Sequence, residues 1–249
     1  MLPDSSQPQP LPADVPPAPA ARIVAVLQIL ICSEYPTQVA IGGMLTSLGY
    51  VAEFPNHALN PTYVVVLSLL DSAALIGLIV LFLRGGRERP FDVIFGRRPI
   101  AREVVAGIPL TFVAIGIAVA VLLAVQQFAP SLHTVDQNPL QQMLRSPRDA
   151  WLFVLVVIVA GGVREEVQRA FLLHRFERYL GGGRTGVIVT SAAFGAGHLL
   201  QGVDAAIAIG LIGALWGFVY LRRRSIVAPM VSHAGFDLLQ IAQFLVARG

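Results

Sequence analysis

The chain has 249 residues, of which 55% are apolar and only 13% are charged. A soluble domain carries about twice that charged fraction, so the composition excludes a disordered protein, a nucleic-acid binder and an ordinary cytosolic enzyme. The net charge of +3 reflects 18 arginines and no lysine, and most of the arginines stand at the ends of apolar runs. This pattern predicts an all-α fold, a polytopic transmembrane helical bundle. The single cysteine, Cys32, excludes an internal disulfide and is predicted to be a buried thiol.

Changes in composition divide the chain into three parts. Residues 1–21 are rich in proline and polar residues, which predicts a disordered N-terminal tail. Residues 22–99 hold the first transmembrane helices and an arginine-rich loop. Residues 100–249 form the predicted helical core, which carries the charged motifs described below.

Hydropathy predicts about seven membrane spans, or eight if the first apolar stretch is two helices. Glu34 and Pro36 interrupt that first stretch and predict a kink or a break there. The fourth to sixth stretches are short for full spans. The predicted spans are residues 23–48, 63–83, 104–125, 150–162, 186–200, 205–220 and 226–246.

The distribution of arginine predicts the orientation of the bundle. Fourteen arginines lie in the regions that follow the second, fourth and sixth spans, whereas the opposite loops hold Arg145 and Arg148, with Arg248 at the C-terminus. The positive-inside rule places the arginine-rich regions in the cytoplasm, with the N-terminus inside for seven spans and outside for eight. We therefore predict an integral membrane protein. The arginine-only, Ala/Gly/Val-rich composition favours a bacterial plasma membrane.

Three charged clusters lie within or beside apolar segments, where charge costs several kcal/mol and is a functional hypothesis by default. Each cluster alone also has a structural explanation: a solvated helix end, a hydrogen-bonded core histidine, or a structural His–Asp pair. Together they are less easily explained in this way. The residues are Glu165, Glu166 and Arg169 in the first cluster, Phe194 and His198 in the second, and His233 and Asp237 in the third.

These residue types point to hydrolytic chemistry. A carboxylate beside an imidazole can activate water as a general base, and an opposing hydrogen-bond donor can stabilise an oxyanion. Two histidines with carboxylates could also hold a divalent metal ion such as zinc. The zincin motif HExxH is missing from the sequence, and the spacing leaves a metal-dependent and a metal-free reaction both open.

The three clusters, in this order, resemble the motifs of the CPBP family, the CaaX prenyl endopeptidases and the bacteriocin-processing or immunity proteins (Abi). The family pattern is EExxxR, then FxxxH, then HxxxN or HxxxD. Residues 194–198 match the second motif and residues 233–237 the third. The first motif departs from the pattern, because Arg164 occupies the first glutamate's place and Glu165 the second's. A one-residue shift, such as a helix bulge, would instead make Glu165 and Glu166 the pair.

The resemblance implies an intramembrane endopeptidase, of metallo or glutamate type. By resemblance, Glu165 with His198 would deprotonate a water, with Glu166 as its neighbour, and Arg169 would fix the glutamate. His233 and Asp237 would hold the scissile carbonyl and its oxyanion. The implied partners are membrane lipid and a lipidated or transmembrane peptide substrate, with no nucleic acid.

Two other functions stay open. A non-catalytic scaffold or bacteriocin-immunity protein on the same fold would use the motif residues as structural hydrogen bonds, and Arg164 in place of a glutamate favours it. A proton-coupled carrier would use Glu34, Asp71, Glu165 and His198 as a relay, although no inverted repeat supports it. A carrier should line a path across the membrane with charge, whereas a protease should gather the charge in one place.

Overall fold

The computed structural model describes residues 18–54, 59–135, 143–144 and 146–248. Within these residues the fold is all-helical, as predicted, with one isolated bridge between Glu53 and Leu59. Most of the predicted tail lies outside the described residues, and the first helix begins at Pro19. The helices are α1 (Pro19–Ile31), α2 (Tyr35–Ser47), α3 (Pro61–Gly85), α4 (Pro90–Ile94), α5 (Ile100–Phe128), α6 (Pro147–Val156), a π-helix (Val157–Glu165), α7 (Glu166–Tyr179), α8 (Gly183–Gly197), α9 (Val203–Arg223) and α10 (Val227–Arg248).

Three helices of the described residues are long and apolar enough to cross a membrane, namely α3, α5 and α9, and the bent pair α1–α2 would make a fourth. They coincide with the first, second, third and sixth predicted spans. The predicted count of seven is not confirmed. Helix α8 has 15 residues, which gives a length of about 22 Å at 1.5 Å per residue, short of a hydrocarbon core of about 30 Å.

The first apolar stretch is broken where the sequence predicts it. Helix α1 ends at Ile31, α2 begins at Tyr35, and the two are bent by 41°. Pro36 lies in the first turn of α2, where its missing N–H costs no hydrogen bond. Glu34 has a φ of +79°, a conformation that a non-glycine residue rarely adopts. Cys32, in the same break, is fully buried as predicted.

Helix α6, the π-helix and α7 form one continuous segment. A capping box begins it: Ser146 N–H donates to Asp149 Oδ2 at 2.9 Å and Asp149 N–H donates to Ser146 Oγ at 3.2 Å. The π-helix then spans Val157–Glu165, immediately before α7. Because π-helical turns contain more residues than α-helical turns, the segment changes the register of the side chains that follow it. The π-helix is a helix bulge of the kind that one alignment of the first motif requires, and which alignment holds stays a prediction.

The core lies where α7 packs between α3 and α8. Its buried side chains include Leu75, Ile79, Phe171, Leu173 and Val187. Gly181 and Gly182 have φ values of +91° and +93°, so they form the turn that the sequence predicts between α7 and α8. This turn folds α8 back beside the helix that carries the first motif.

Candidate active site

The first and third motifs meet at His233 of α10. His233 Nδ1 lies 2.9 Å from Glu166 Oε1 at the start of α7. On the other edge of the ring, Nε2 lies 3.6 Å from Glu165 Oε2 and 3.7 Å from Asp237 Oδ2. Three carboxylates therefore surround one buried imidazole.

Glu166 is the most constrained of these acids. Its side chain is 1% exposed and forms an ion pair with Arg169 through the same oxygen that faces His233. The guanidinium of Arg169 lies over the rings of Phe194, at 4.7 Å, and Trp216, at 5.4 Å. Arg169 thus fixes Glu166, one of the two glutamates that lie three or four residues before it.

Glu165 is more accessible, with a side chain that is 15% exposed. Its Oε1 accepts a hydrogen bond from Arg164 at 3.2 Å. Its Oε2 accepts no hydrogen bond from the described residues. Oε2 is itself buried and its lone pairs are unengaged, whereas Glu166 Oε1 already faces both Arg169 and His233.

Arg164, the departure from the family pattern, is buried beside the acid cluster. Its Nη1 lies 2.5 Å from Glu34 Oε2 at the α1–α2 break, and its Nη2 bonds Glu165. Glu34 therefore pairs with an arginine of the π-helix. Asp71 of α3, the other acid considered with it, is also buried.

Trp216 of α9 is a site residue that the sequence reasoning missed. Its ring stacks on His233 with 3.9 Å between centroids and 22° between planes. Its indole N–H donates to Ser232 Oγ at 3.0 Å, which fixes the ring beside the motif histidine. The only signal in the sequence is that tryptophan is rare, with two in the chain, and rarity does not indicate which residue Trp216 contacts.

The second motif reaches the site through its phenylalanine. The Phe194 ring centroid lies 4.8 Å from that of His198 and 6.1 Å from that of His233. His198, at the C-terminal end of α8, has its Nδ1 2.8 Å from the Phe194 carbonyl oxygen. A carbonyl only accepts, so Nδ1 carries a proton and neutral His198 keeps its lone pair on Nε2.

Two glycines allow the π-helix to approach α10 closely. A Cβ on Gly161 would lie 2.7 Å from Asp237 Oδ2, and a Cβ on Gly162 would lie 2.9 Å from the Ala234 Cβ. Both distances are shorter than side chains tolerate. The close approach of Gly161 therefore places Asp237 directly against the helix that carries Glu165.

The acids and histidines of the site do not fit a metal centre as they are arranged. Among the described residues, no three His, Cys, Asp or Glu side chains form a group that could hold a metal ion. Glu166 and His233, the best-placed donors, bond to each other, and Glu166 also pairs with Arg169.

His133 and His174 have partners outside this cluster. His133 Nδ1 is 2.7 Å from Asp204 Oδ2. His174 of α7 has its Nε2 2.9 Å from Oε1 of Glu88, which lies between α3 and α4. His57 lies outside the described residues. The sequence assigns no function to His57 or His133.

The part of the chain that carries the three motifs matches a known family model. Residues 147–239 match the family model described as "Rce1-like: Type II CAAX prenyl endopeptidase Rce1-like". The match covers less than half of the chain but includes all three motifs. It confirms the resemblance to the CPBP family. No curated protein and no solved structure matches the chain significantly.

Proposed function

We propose that the protein is an intramembrane endopeptidase, similar to the CAAX proteases, that hydrolyses a peptide bond with a glutamate-activated water. The observation that carries this proposal is the meeting of Glu165, Glu166 and Asp237 around His233, within the segment that matches the family. Acids and imidazole in contact are the groups that general acid–base hydrolysis requires.

Glu165 is the proposed general base. Its Oε2 has no hydrogen-bond donor among the described residues, so it can accept a proton from a water, while Arg164 holds the other oxygen. Glu166 is the proposed positioning residue, because Arg169 and His233 already engage it. The proton taken by Glu165 passes to the leaving amine when the tetrahedral intermediate collapses. His198 assists by accepting a hydrogen bond from the water at Nε2.

His233 is the proposed oxyanion donor. In the imidazolium form of His233, Nδ1–H donates a hydrogen bond to Glu166 Oε1, which fixes the ring, and Nε2–H is left to donate to the carbonyl oxygen of the substrate. Asp237 Oδ2, 3.7 Å from Nε2, stabilises the charge of the ring. Stacking on Trp216 holds the plane of the imidazole.

The proposed substrate is a lipidated or transmembrane peptide, and the protein is placed in a bacterial plasma membrane with its arginine-rich loops in the cytoplasm. The apolar helices α3, α5 and α9 support a membrane setting for the reaction. The clustering of charge around His233, in one place, favours a protease over a carrier.

One observation favours a second function. Arg164 occupies the first glutamate's place and is held between Glu34 and Glu165. A non-catalytic scaffold or immunity protein would use this buried ion pair to stabilise the bundle. The two functions differ in whether a peptide is cut.

The test is cleavage of lipidated and transmembrane peptides by the purified protein in liposomes. Glu165→Gln and His198→Ala should abolish or strongly reduce cleavage. Glu177→Gln is the matched control, because Glu177 lies on α7, which continues from the π-helix of Glu165, and it pairs with Arg224 outside the site. A strong chelator separates metal-dependent from metal-free catalysis. Unchanged cleavage in both site variants would contradict the catalytic roles proposed for Glu165 and His198, whereas a wild type that cuts no peptide of the panel would favour the scaffold.

A further inference from the structure

A basic cavity lies apart from the acid cluster, between α5, α9 and the start of α10. Its volume is about 340 Å³. Three arginines line it together with apolar side chains. The lining includes Arg98, Arg222 and Arg223 with Ala106, Leu110 and Val219.

The positive charge of these three arginines exceeds the negative charge of the carboxylate that pairs with them. Arg223 donates to both oxygens of the buried Glu103, at 2.7 and 2.8 Å. Arg98 Nε donates to the Arg223 carbonyl oxygen at 3.0 Å and lies 4.0 Å from Glu103. Arg222 is exposed and has no carboxylate partner in the described part of the chain. Since Glu103 offsets one charge, the cavity keeps a net positive charge of two.

The position of the cavity matches the surface of a bilayer. It lies where α5 begins and α9 ends, and both helices are long and apolar enough to span a membrane. Next to it, α5 exposes Val105, Ile108 and Phe112. The charged part of the cavity therefore lies at the height of lipid headgroups, and the apolar surface continues toward the acyl chains.

We propose that this cavity binds an anionic phospholipid. The phosphate would lie against Arg98 and Arg222, and one acyl chain would follow the apolar wall formed by Ala106, Leu110 and Val219. Basic pockets between transmembrane helices are suited to anionic headgroups, whereas a choline group would meet the arginines unfavourably. The inference does not depend on the proposed protease activity.

The test is native mass spectrometry of the full-length protein with dioleoylphosphatidylglycerol and dioleoylphosphatidylcholine. The wild type should bind the anionic lipid preferentially. Arg98→Gln with Arg222→Gln should weaken that binding by about fivefold for each arginine removed. Arg102→Gln is the matched control, since Arg102 is exposed on α5 but does not line the cavity. Ala106→Phe should also weaken binding, because it fills the apolar part without changing the charge.

Three results would overturn the inference. One is equal binding of the anionic lipid by the wild type and the double variant, both shown to be folded by their thermal midpoints. Another is an equal loss in Arg102→Gln, which would indicate diffuse surface charge. The third is binding of glycerol 3-phosphate as tightly as the lipid, which would indicate an anion site. If the double variant fails to fold, Arg222→Gln alone serves, because Arg222 has no ion pair to lose within the described residues.

Discussion

The buried Arg164 forms an ion pair with the partly buried Glu34, with 2.5 Å between Nη1 and Oε2, and so joins the π-helix to the α1–α2 break. Arg164 also bonds Glu165, so one guanidinium links a residue 130 positions earlier to the proposed general base. A second contact joins the same break to α7, because Gln168 Nε2 donates to the Cys32 carbonyl oxygen at 2.8 Å. The two contacts differ in that only the first reaches an acid of the site.

This difference predicts the effect of Glu34→Gln. Loss of the ion pair should free Arg164 to move and displace Glu165, and displacement of a reacting group by about 1 Å can lower a rate by about a hundredfold. We expect the cleavage rate in liposomes to fall by about ten- to a hundredfold. Arg164→Met should have an effect of similar size, and the double variant should be no worse than either single one.

Gln168→Ala is the matched control for this prediction. It loosens the break but leaves Glu34, Arg164 and Glu165 in place. Equal losses of activity in Gln168→Ala and Glu34→Gln would show that the ion pair only anchors α2.

The two neighbouring glutamates should differ in their effect on stability. Glu166→Gln leaves the buried Arg169 without its ion pair and weakens the bond to His233, so it should destabilise the protein by about 3–5 kcal/mol. Glu165→Gln keeps an oxygen that can accept from Arg164, and Arg164 keeps its ion pair with Glu34, so the loss of stability should be smaller than for Glu166→Gln. Thermal unfolding in detergent measures both. A larger loss in Glu165→Gln would reverse the assignment of base and positioning residue.

Local sequence patterns predicted the parts of this site that lie within single segments. The motif residues were found because charge is rare in apolar stretches, and Glu34 with Pro36 predicted the break. The partnership of Arg164 with Glu34 and the stack of Trp216 on His233 join distant segments, and spacing along the chain does not encode such contacts. Hydropathy likewise found α3, α5 and α9. The other predicted spans stay predictions, because an apolar segment buried against other helices has the same composition as a span.

The surroundings of Glu88 predict that the free energy of unfolding decreases at acidic pH. It lies outside the membrane-spanning helices and accepts hydrogen bonds from His174, at 2.9 Å, and Arg175, at 2.6 Å. Burial alone would raise the pKa of Glu88, but the hydrogen bonds and charges of His174 and Arg175 hold the pKa below its usual value of 4.5. The contribution of Glu88 to stability is therefore present above pH 4.5 and is lost as the pH falls through the lower folded-state pKa.

The variant Glu88→Gln should remove this dependence. At pH 7 it should lower the free energy of unfolding by about 2 kcal/mol, the contribution of hydrogen bonds to charged groups. Thermal midpoints measured from pH 7 down to pH 3 should fall more steeply for the wild type than for the variant below pH 4.5. Asp92→Asn is the control, because Asp92 is an exposed carboxylate of α4. Parallel curves for the wild type and Glu88→Gln would contradict the prediction.

Gly161→Ala tests whether the closeness of the π-helix to α10 matters for catalysis. The new Cβ would lie 2.7 Å from Asp237 Oδ2 and 3.8 Å from His233 Nε2, so the Asp237 carboxylate must move. We expect the cleavage rate to fall by about tenfold or more. Gly77→Ala is the control, because Gly77 lies within α3 and a Cβ there meets nothing within 4 Å. That control should keep its activity and gain slightly in stability, since alanine favours a helix over glycine by about 1 kcal/mol. Full activity in Gly161→Ala would show that the position of Asp237 against the π-helix is not required for the reaction.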